Sequence, residues 1–229
     1  MPDIYAGTSD CYMRVDNEPS WSGARDLAIA ESISTTTSKN AAAWKVAVNA
    51  AQTQYDVYRS FFAINTSGIT LPPTSATLKL YGYINSDVSS IISKVDASAT
   101  GDSTTNFITN DFGKVSFSAY SSEITSWTVS GYNEITLNAA ALADMAALDE
   151  FKFALINYTY DFLDVTPTSS TSDKAGVYYA NEADISKDPY ISYVERVPYS
   201  SGNICGISSN EVSSINGVLI TNISKVNNI

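Results

Sequence analysis

The sequence predicts an all-β fold: an antiparallel β-sandwich with one short connecting helix and a separate C-terminal segment. Three observations predict it. Apolar residues recur with a period of two from Tyr12 to Val194. The stretches between them are rich in Ser, Thr, Gly, Asn and Pro, which supply turn geometry. Strands do not alternate with helices, so many short strands at similar spacing indicate a sandwich or barrel. A chain of 229 residues buries roughly 70–75% of its unfolded surface, enough for a self-sufficient core.

Taken in order, the first candidate strands are Tyr12 to Val15, Leu27 to Ala30 and Lys45 to Val48. Tyr55 to Ile64 has few polar positions and many aromatic ones. It reads as a central strand with one face fully buried and the other partly covered. The turns Asn65-Thr66-Ser67-Gly68 and Leu71-Pro72-Pro73-Thr74 separate it from Thr77 to Ile84, which alternates with Leu78, Leu80 and Gly82 inward. Further strands are Ile91 to Val95, Lys114 to Phe117 and Glu134 to Leu137. Ala139 to Leu148 is an Ala/Leu/Met run with Asn138 as its N-cap, the single clear helix. Phe151 to Tyr158, Gly176 to Ala180 and Tyr190 to Val194 complete the strands.

The last stretch is different. Val212-Ser213-Ser214-Ile215-Asn216-Gly217-Val218 is echoed eleven residues later by Ile223-Ser224-Lys225-Val226-Asn227-Asn228-Ile229. A repeat this short cannot bury its apolar side alone. Val212, Ile215, Val218, Ile223, Val226 and Ile229 therefore need a partner surface and are the candidate docking residues. The expected domains are a sandwich over 1–195, a linker over 196–202 containing Pro198 and Gly202, and a docking segment over 203–229.

Charge and composition narrow the function classes. The net charge is −11, and the thirteen basic residues are scattered singly, so there is no phosphate-binding stripe and nucleic acid is not an expected partner. An acidic surface also repels anionic membranes, and no window approaches the length of a membrane span. Met1-Pro2-Asp3-Ile4-Tyr5 has no basic start or apolar stretch, so a secretory leader is not expected. The chain has no histidine, which removes the commonest neutral-pH base and metal ligand. Phosphate-binding glycine loops and Ser-x-x-Lys are absent too, so the chain is expected not to be an enzyme.

Some candidate sites remain. Asp161 and Asp164 could serve a carboxylate-based glycan hydrolase or lyase, or instead cap turns or hold a cation. Asn181, Glu182 and Asp184 form the densest oxygen cluster and are the candidate metal ligands, so a structural calcium ion is the only cofactor expected. Trp21, Trp44, Trp127, Tyr178 and Tyr179 are candidate stacking platforms for a sugar, although aromatic residues in strands usually belong to the core. Cys11 and Cys205 either pair as a staple or stay as free thiols.

Two stretches resemble the DNRLRE-type domain. One is Arg59 to Ile69 followed by Ser75-Ala76-Thr77-Leu78-Lys79-Leu80-Tyr81-Gly82-Tyr83; the other is Val177 to Glu182 followed by Asp188-Pro189-Tyr190-Ile191-Ser192-Tyr193. Asp3-Ile4-Tyr5 is compatible with that family's first strand. The resemblance spans roughly residues 1 to 195. It implies a jelly-roll sandwich akin to carbohydrate-binding modules, without catalytic residues of its own. Ile215-Asn216-Gly217-Val218 with Ile223-Ser224-Lys225-Val226-Asn227 looks like the short repeats that close many phage structural proteins. Together these imply a virion structural protein of a tailed phage, a surface-displayed head or tail module. Its expected partners are other virion proteins, copies of itself and host surface glycan. The alternatives are a glycan-binding adhesin at the cell surface and, behind that, the carboxylate hydrolase.

Overall fold

A computed structural model describes residues 1–49, 53–86, 88–168 and 171–196, with the backbone of 214–215 and 218–219. The chain divides into two compact units, Met1–Val194 and Glu195–Ile229. The first is a mostly antiparallel β-sandwich. Its strands are β1 (Asp3–Tyr5), β2 (Cys11–Glu18), β3 (Ser32–Ser34), β4 (Lys39–Asn49), β5 (Gln54–Asn65), β6 (Ser75–Asn85), β7 (Ser90–Val95), β8 (Val115–Ala119), β9 (Tyr132–Thr136), β10 (Glu150–Asn157), β11 (Ser172–Tyr178) and β12 (Tyr190–Val194). In the second unit, β13 (Ser214–Ile215) pairs antiparallel with β14 (Val218–Leu219).

The long strand β5 is where the sheet branches. Tyr58 stands opposite both Arg14 of β2 and Lys45 of β4, so β2 and β4 flank opposite edges. Ser60 stands opposite Tyr12 of β2 and Leu155 of β10, so β10 follows β4 along the same edge. One arm then runs β4-β11-β6-β12-β1, with β9 on the far edge of β6. The other runs β10-β7-β8.

Between the arms lies one core, to which β4 gives Trp44, β5 Phe62 and Ile64, β6 Leu78 and Leu80, β10 Phe151, Phe153 and Leu155, and β12 Ile191. Phe62 stacks between Phe153 and Tyr179, with ring centroids 5.2 and 5.7 Å away. A second core covers the other face of β2, β5 and β10, where Met13, Val57, Phe61 and Ala154 meet Phe107 and Phe112 of the 96–114 connection. Phe61 and Phe62 are both fully buried on opposite faces, so β5 is covered on both sides. Each buried Phe or Leu contributes about 1.5–3 kcal/mol relative to exposure.

Alternation explains β6: Ala76, Leu78, Leu80 and Gly82 are buried. A β-carbon at Gly82 would lie 1.9 Å from the Thr128 carbonyl oxygen, so only glycine fits where that connection crosses the strand. The helix α2 (Ala139–Ala147) starts as its sequence requires, with the Asn138 side chain accepting from the Ala141 N–H.

Leu27 to Ala30 differs from its expected strand. It follows a five-residue helix, α1 (Trp21–Arg25), capped by Ser20. Its backbone bonds instead to a 3₁₀ turn over Thr109–Lys114: the Ala30 N–H donates to Thr109 O and the Gly113 N–H to Ala28 O. No strand among the described residues pairs with it, and Ile29 is exposed. Cys11 is a buried free thiol, and Cys205 lies outside the described residues.

Candidate functional site

The outward face of the β1-β12-β6-β9 sheet carries a row of tyrosines. Inward positions of these strands feed the core, so the intervening residues face solvent. Tyr5, Tyr190, Tyr132, Tyr81, Tyr178 and Tyr83 follow one another across β1, β12, β9, β6 and β11, with successive centroids 5.2 to 5.5 Å apart. Tyr5 stacks on Tyr190 at 28°, and the remaining contacts run edge to face at 74 to 89°. Tyr5 and Tyr83 at the two ends are the most open, at 53% and 38% exposure.

Lysines border the row. Lys39 lies 4.6 Å from the Tyr83 centroid, Lys187 5.0 Å from that of Tyr178, and Lys79 5.6 Å from that of Tyr190. Lys79 also pairs with Glu134 at 2.9 Å and Lys187 with Asp184 at 2.9 Å. These hydrogen bonds raise the proton affinity of both ammonium groups. Cross-strand aromatic and cation–π contacts of this kind hold the rings in place without burying them. Burial, followed by the charges of Tyr190 and Asp188, pushes the Tyr132 phenol up, and it remains a neutral donor to the Ser186 and Asp188 carbonyls.

Beside the row, a groove of about 600 Å³ runs along the free edge of β9. Its opposite wall is the segment 121–128, anchored to β7 by reciprocal backbone bonds between Ser90 and Ile124. Hydroxyls and carboxylates dominate the lining, including Ser122, Thr125, Glu123 and Glu134, and Tyr132 belongs to both groove and row. Such a surface can stack rings, donate from phenols and accept from hydroxyls.

Of the five aromatic residues singled out in the sequence, Tyr178 alone belongs to this face. Trp44 and Tyr179 are fully buried, and Trp21 and Trp127 nearly so, which corrects their expected role as platforms. The reason is that each has a tertiary partner that holds it in the fold. The indole N–H groups of Trp44, Trp127 and Trp21 donate to Ser90 Oγ, Gly176 O and Asp164 Oδ1 at 2.7, 3.3 and 2.9 Å. Tyr179 Oη lies 2.5 Å from Ser60 Oγ. Tyr5, Tyr81, Tyr83, Tyr132 and Tyr190 are not among the residues singled out in the sequence. The signal for Tyr81 and Tyr83 was present, because alternation with Leu80 and Gly82 turns them outward.

The two acids considered for glycan hydrolysis lie elsewhere. Asp161, in a π-helical turn over Tyr158–Phe162, has no exposed surface. Arg59 Nε and Nη2 donate to its two oxygens at 2.8 and 2.7 Å. Asp164 accepts from Trp21 and lies 3.5 Å from Arg25 Nε. Both carboxylates hold cations of the protein itself, and Asp161 has nothing to offer a substrate.

The acidic loop is also committed locally. Asn181 Nδ2 donates to the Thr8 and Thr35 carbonyls, Glu182 accepts from the Ala183 N–H, and Asp184 accepts from Ser186 while pairing with Lys187. Those contacts hold Asp184 down at about 2, the Ser186 hydroxyl being the largest cause. Among the described residues, no three His, Cys, Asp or Glu side chains converge as metal ligands do.

The docking residues Val212, Ile215, Val218, Ile223, Val226 and Ile229 belong to the second unit, and their side chains lie outside the described residues. There the backbone pairs Ile215 with Val218. No helix among the described residues is long and apolar enough to cross a membrane. No family model matches the chain, and no curated protein is significantly similar to it.

Proposed function

We propose that the chain is a non-enzymatic structural protein of a tailed-phage virion, a sandwich displayed on head or tail and docked through its C-terminal segment. The observation that carries this reading is the division of the chain. Met1–Val194 holds the cores already described, while the repeated apolar register falls entirely within Glu195–Ile229. Apolar positions repeated in a segment outside that core need a surface on which to bury, and another chain of the particle would supply it. The partners are then other virion proteins and neighbouring copies of this one. Mass spectrometry and antibody labelling of purified particles test this. The protein should co-purify at a fixed copy number, and its absence from particles would refute the assignment.

The tyrosine row favours a second reading, recognition of host surface glycan by the displayed face. Phenols offer rigid amphipathic contact area at low entropic cost, and the hydroxyl-lined groove beside Tyr132 would supply polar contacts that orient a sugar. A glycan array probed with the wild type and with Tyr81→Ala separates this from a purely structural role. Binding lost in the variant supports recognition, and a blank array refutes it.

A further inference from the structure

The seam between the β1–β2 connection (residues 6–10) and the 180–188 stretch before β12 contains an unresolved charge problem. Asp10 has no exposed surface. Its Oδ2 accepts from the Ala180 N–H at 2.8 Å, but its Oδ1 is buried with no hydrogen-bond partner among the described residues. Oδ1 of Asp188 is likewise buried without a partner among the described residues. The two segments are knitted together around them. Asn181 Nδ2 reaches the Thr8 carbonyl at 3.1 Å, and the Ala6 N–H donates to Pro189 O at 2.9 Å.

Lys187, the nearest cation in sequence, is directed to Asp184. Burial, with a further push from the Asp188 charge, raises the Asp10 carboxyl to about 8 despite the Ala180 bond. Burial, then the charges of Asp184 and Glu182, raises Asp188 in turn. A desolvated carboxylate is costly unless a proton or a cation compensates it. Asp10 is fully buried and Asp188 half-buried beside the same seam, and a cation there would compensate the stranded oxygen of each.

We propose that this seam binds a divalent cation of the calcium class, with Asp10 Oδ1 and Asp188 Oδ1 as its two charged ligands. Calcium takes six to eight oxygens, and carbonyls and waters can complete its shell around two carboxylates. The chain has no histidine, and no third acid converges on the seam among the described residues, which sets it apart from zinc or copper sites. The bound ion would clamp the β1 end of the chain to the segment that closes the sheet at β12. This moves the metal site from Asn181, Glu182 and Asp184 to the two acids beside them, and it does not depend on the proposed function.

The test is thermal unfolding of the full chelator-treated chain at fixed pH, with and without calcium, plus a terbium titration read by tyrosine-sensitised luminescence. Calcium at about 10 mM should raise the melting temperature by about 3–6 °C, and terbium emission should saturate. Asp10→Asn and Asp188→Asn should each abolish the shift, while Asp184→Asn should keep it. An unchanged wild-type melting temperature, a shift retained in Asp188→Asn, or emission that never saturates would overturn the site. If Asp10→Asn does not fold, Asp188→Asn and the wild-type titration still decide.

Discussion

Arg59 of β5 and Asp161, 102 residues apart in sequence, form a fully buried, two-pronged ion pair at the edge of the second core. Two further donors of Arg59 go to the Phe112 and Arg25 carbonyls at 3.0 and 2.6 Å, and its guanidinium lies 4.2 Å from the Phe112 ring centroid. One side chain therefore ties β5, α1, the 109–114 turn and the π-helical turn together. Breaking a buried pair leaves an uncompensated charge and costs roughly 3–5 kcal/mol. Asp161→Asn should fall in that range by denaturant unfolding. Arg59→Met should cost more, because it also strands two carbonyls. Arg59→Met/Asp161→Leu should cost less than the two single changes added together, and simple additivity would show that the pair is not coupled.

The buried pair Ser60 and Tyr179 gives an asymmetric prediction. Ser60 has a single proton, which goes to the Ala43 carbonyl at 2.6 Å, so Tyr179 must be the donor in their 2.5 Å contact. Tyr179→Phe leaves Ser60 bonded and should cost about 1 kcal/mol. Ser60→Ala strands both a buried phenol and a carbonyl and should cost about 2–3 kcal/mol. Equal losses would contradict this assignment of the donor.

Asp144 links acid stability to the first core. Burial on its own would raise its pKa, but hydrogen bonds from Lys94 Nζ at 2.7 Å and Tyr120 Oη at 2.5 Å outweigh that and hold it below the ordinary 3.8. A depressed carboxyl contributes stability that is present above its unfolded value and lost as pH falls through its folded one. Stability should therefore fall below about pH 4, and Asp144→Asn should flatten that part of the acid limb. The two proteins should differ most near neutral pH. Parallel acid limbs in urea melts would show that Asp144 contributes nothing there.

These sites show how much of the molecule was legible in its sequence. The strands and α2 were readable because alternation and an Asn cap are local signals. The five-residue α1 and β3 escaped because neither is long enough to establish a period. The tryptophans misled for a physical reason: an indole's size suits a ligand platform and a core equally, and only the tertiary partners at Ser90, Gly176 and Asp164 decide between them. Asp10 and Asp188 were invisible as a pair because their relationship arises from β1 and β12 lying side by side.

Changes on the tyrosine face should separate recognition from stability. Tyr81→Ala and Tyr178→Ala remove partly buried rings whose contacts are mutual, so each should cost at least about 0.5–1.5 kcal/mol. Trp44→Ala, which empties a fully buried site, should cost about 3–5 kcal/mol. If the face binds glycan, the two tyrosine variants should lose array signal while still folding cooperatively by calorimetry. Retained signal would remove the row from the site.

The central claim, a displayed sandwich docked through its tail, is tested most directly by deleting residues 203–229 and measuring incorporation into particles during infection. The truncated protein should keep the melting temperature of the sandwich unit and be missing from purified virions. Truncated protein found in particles at the wild-type copy number would contradict it.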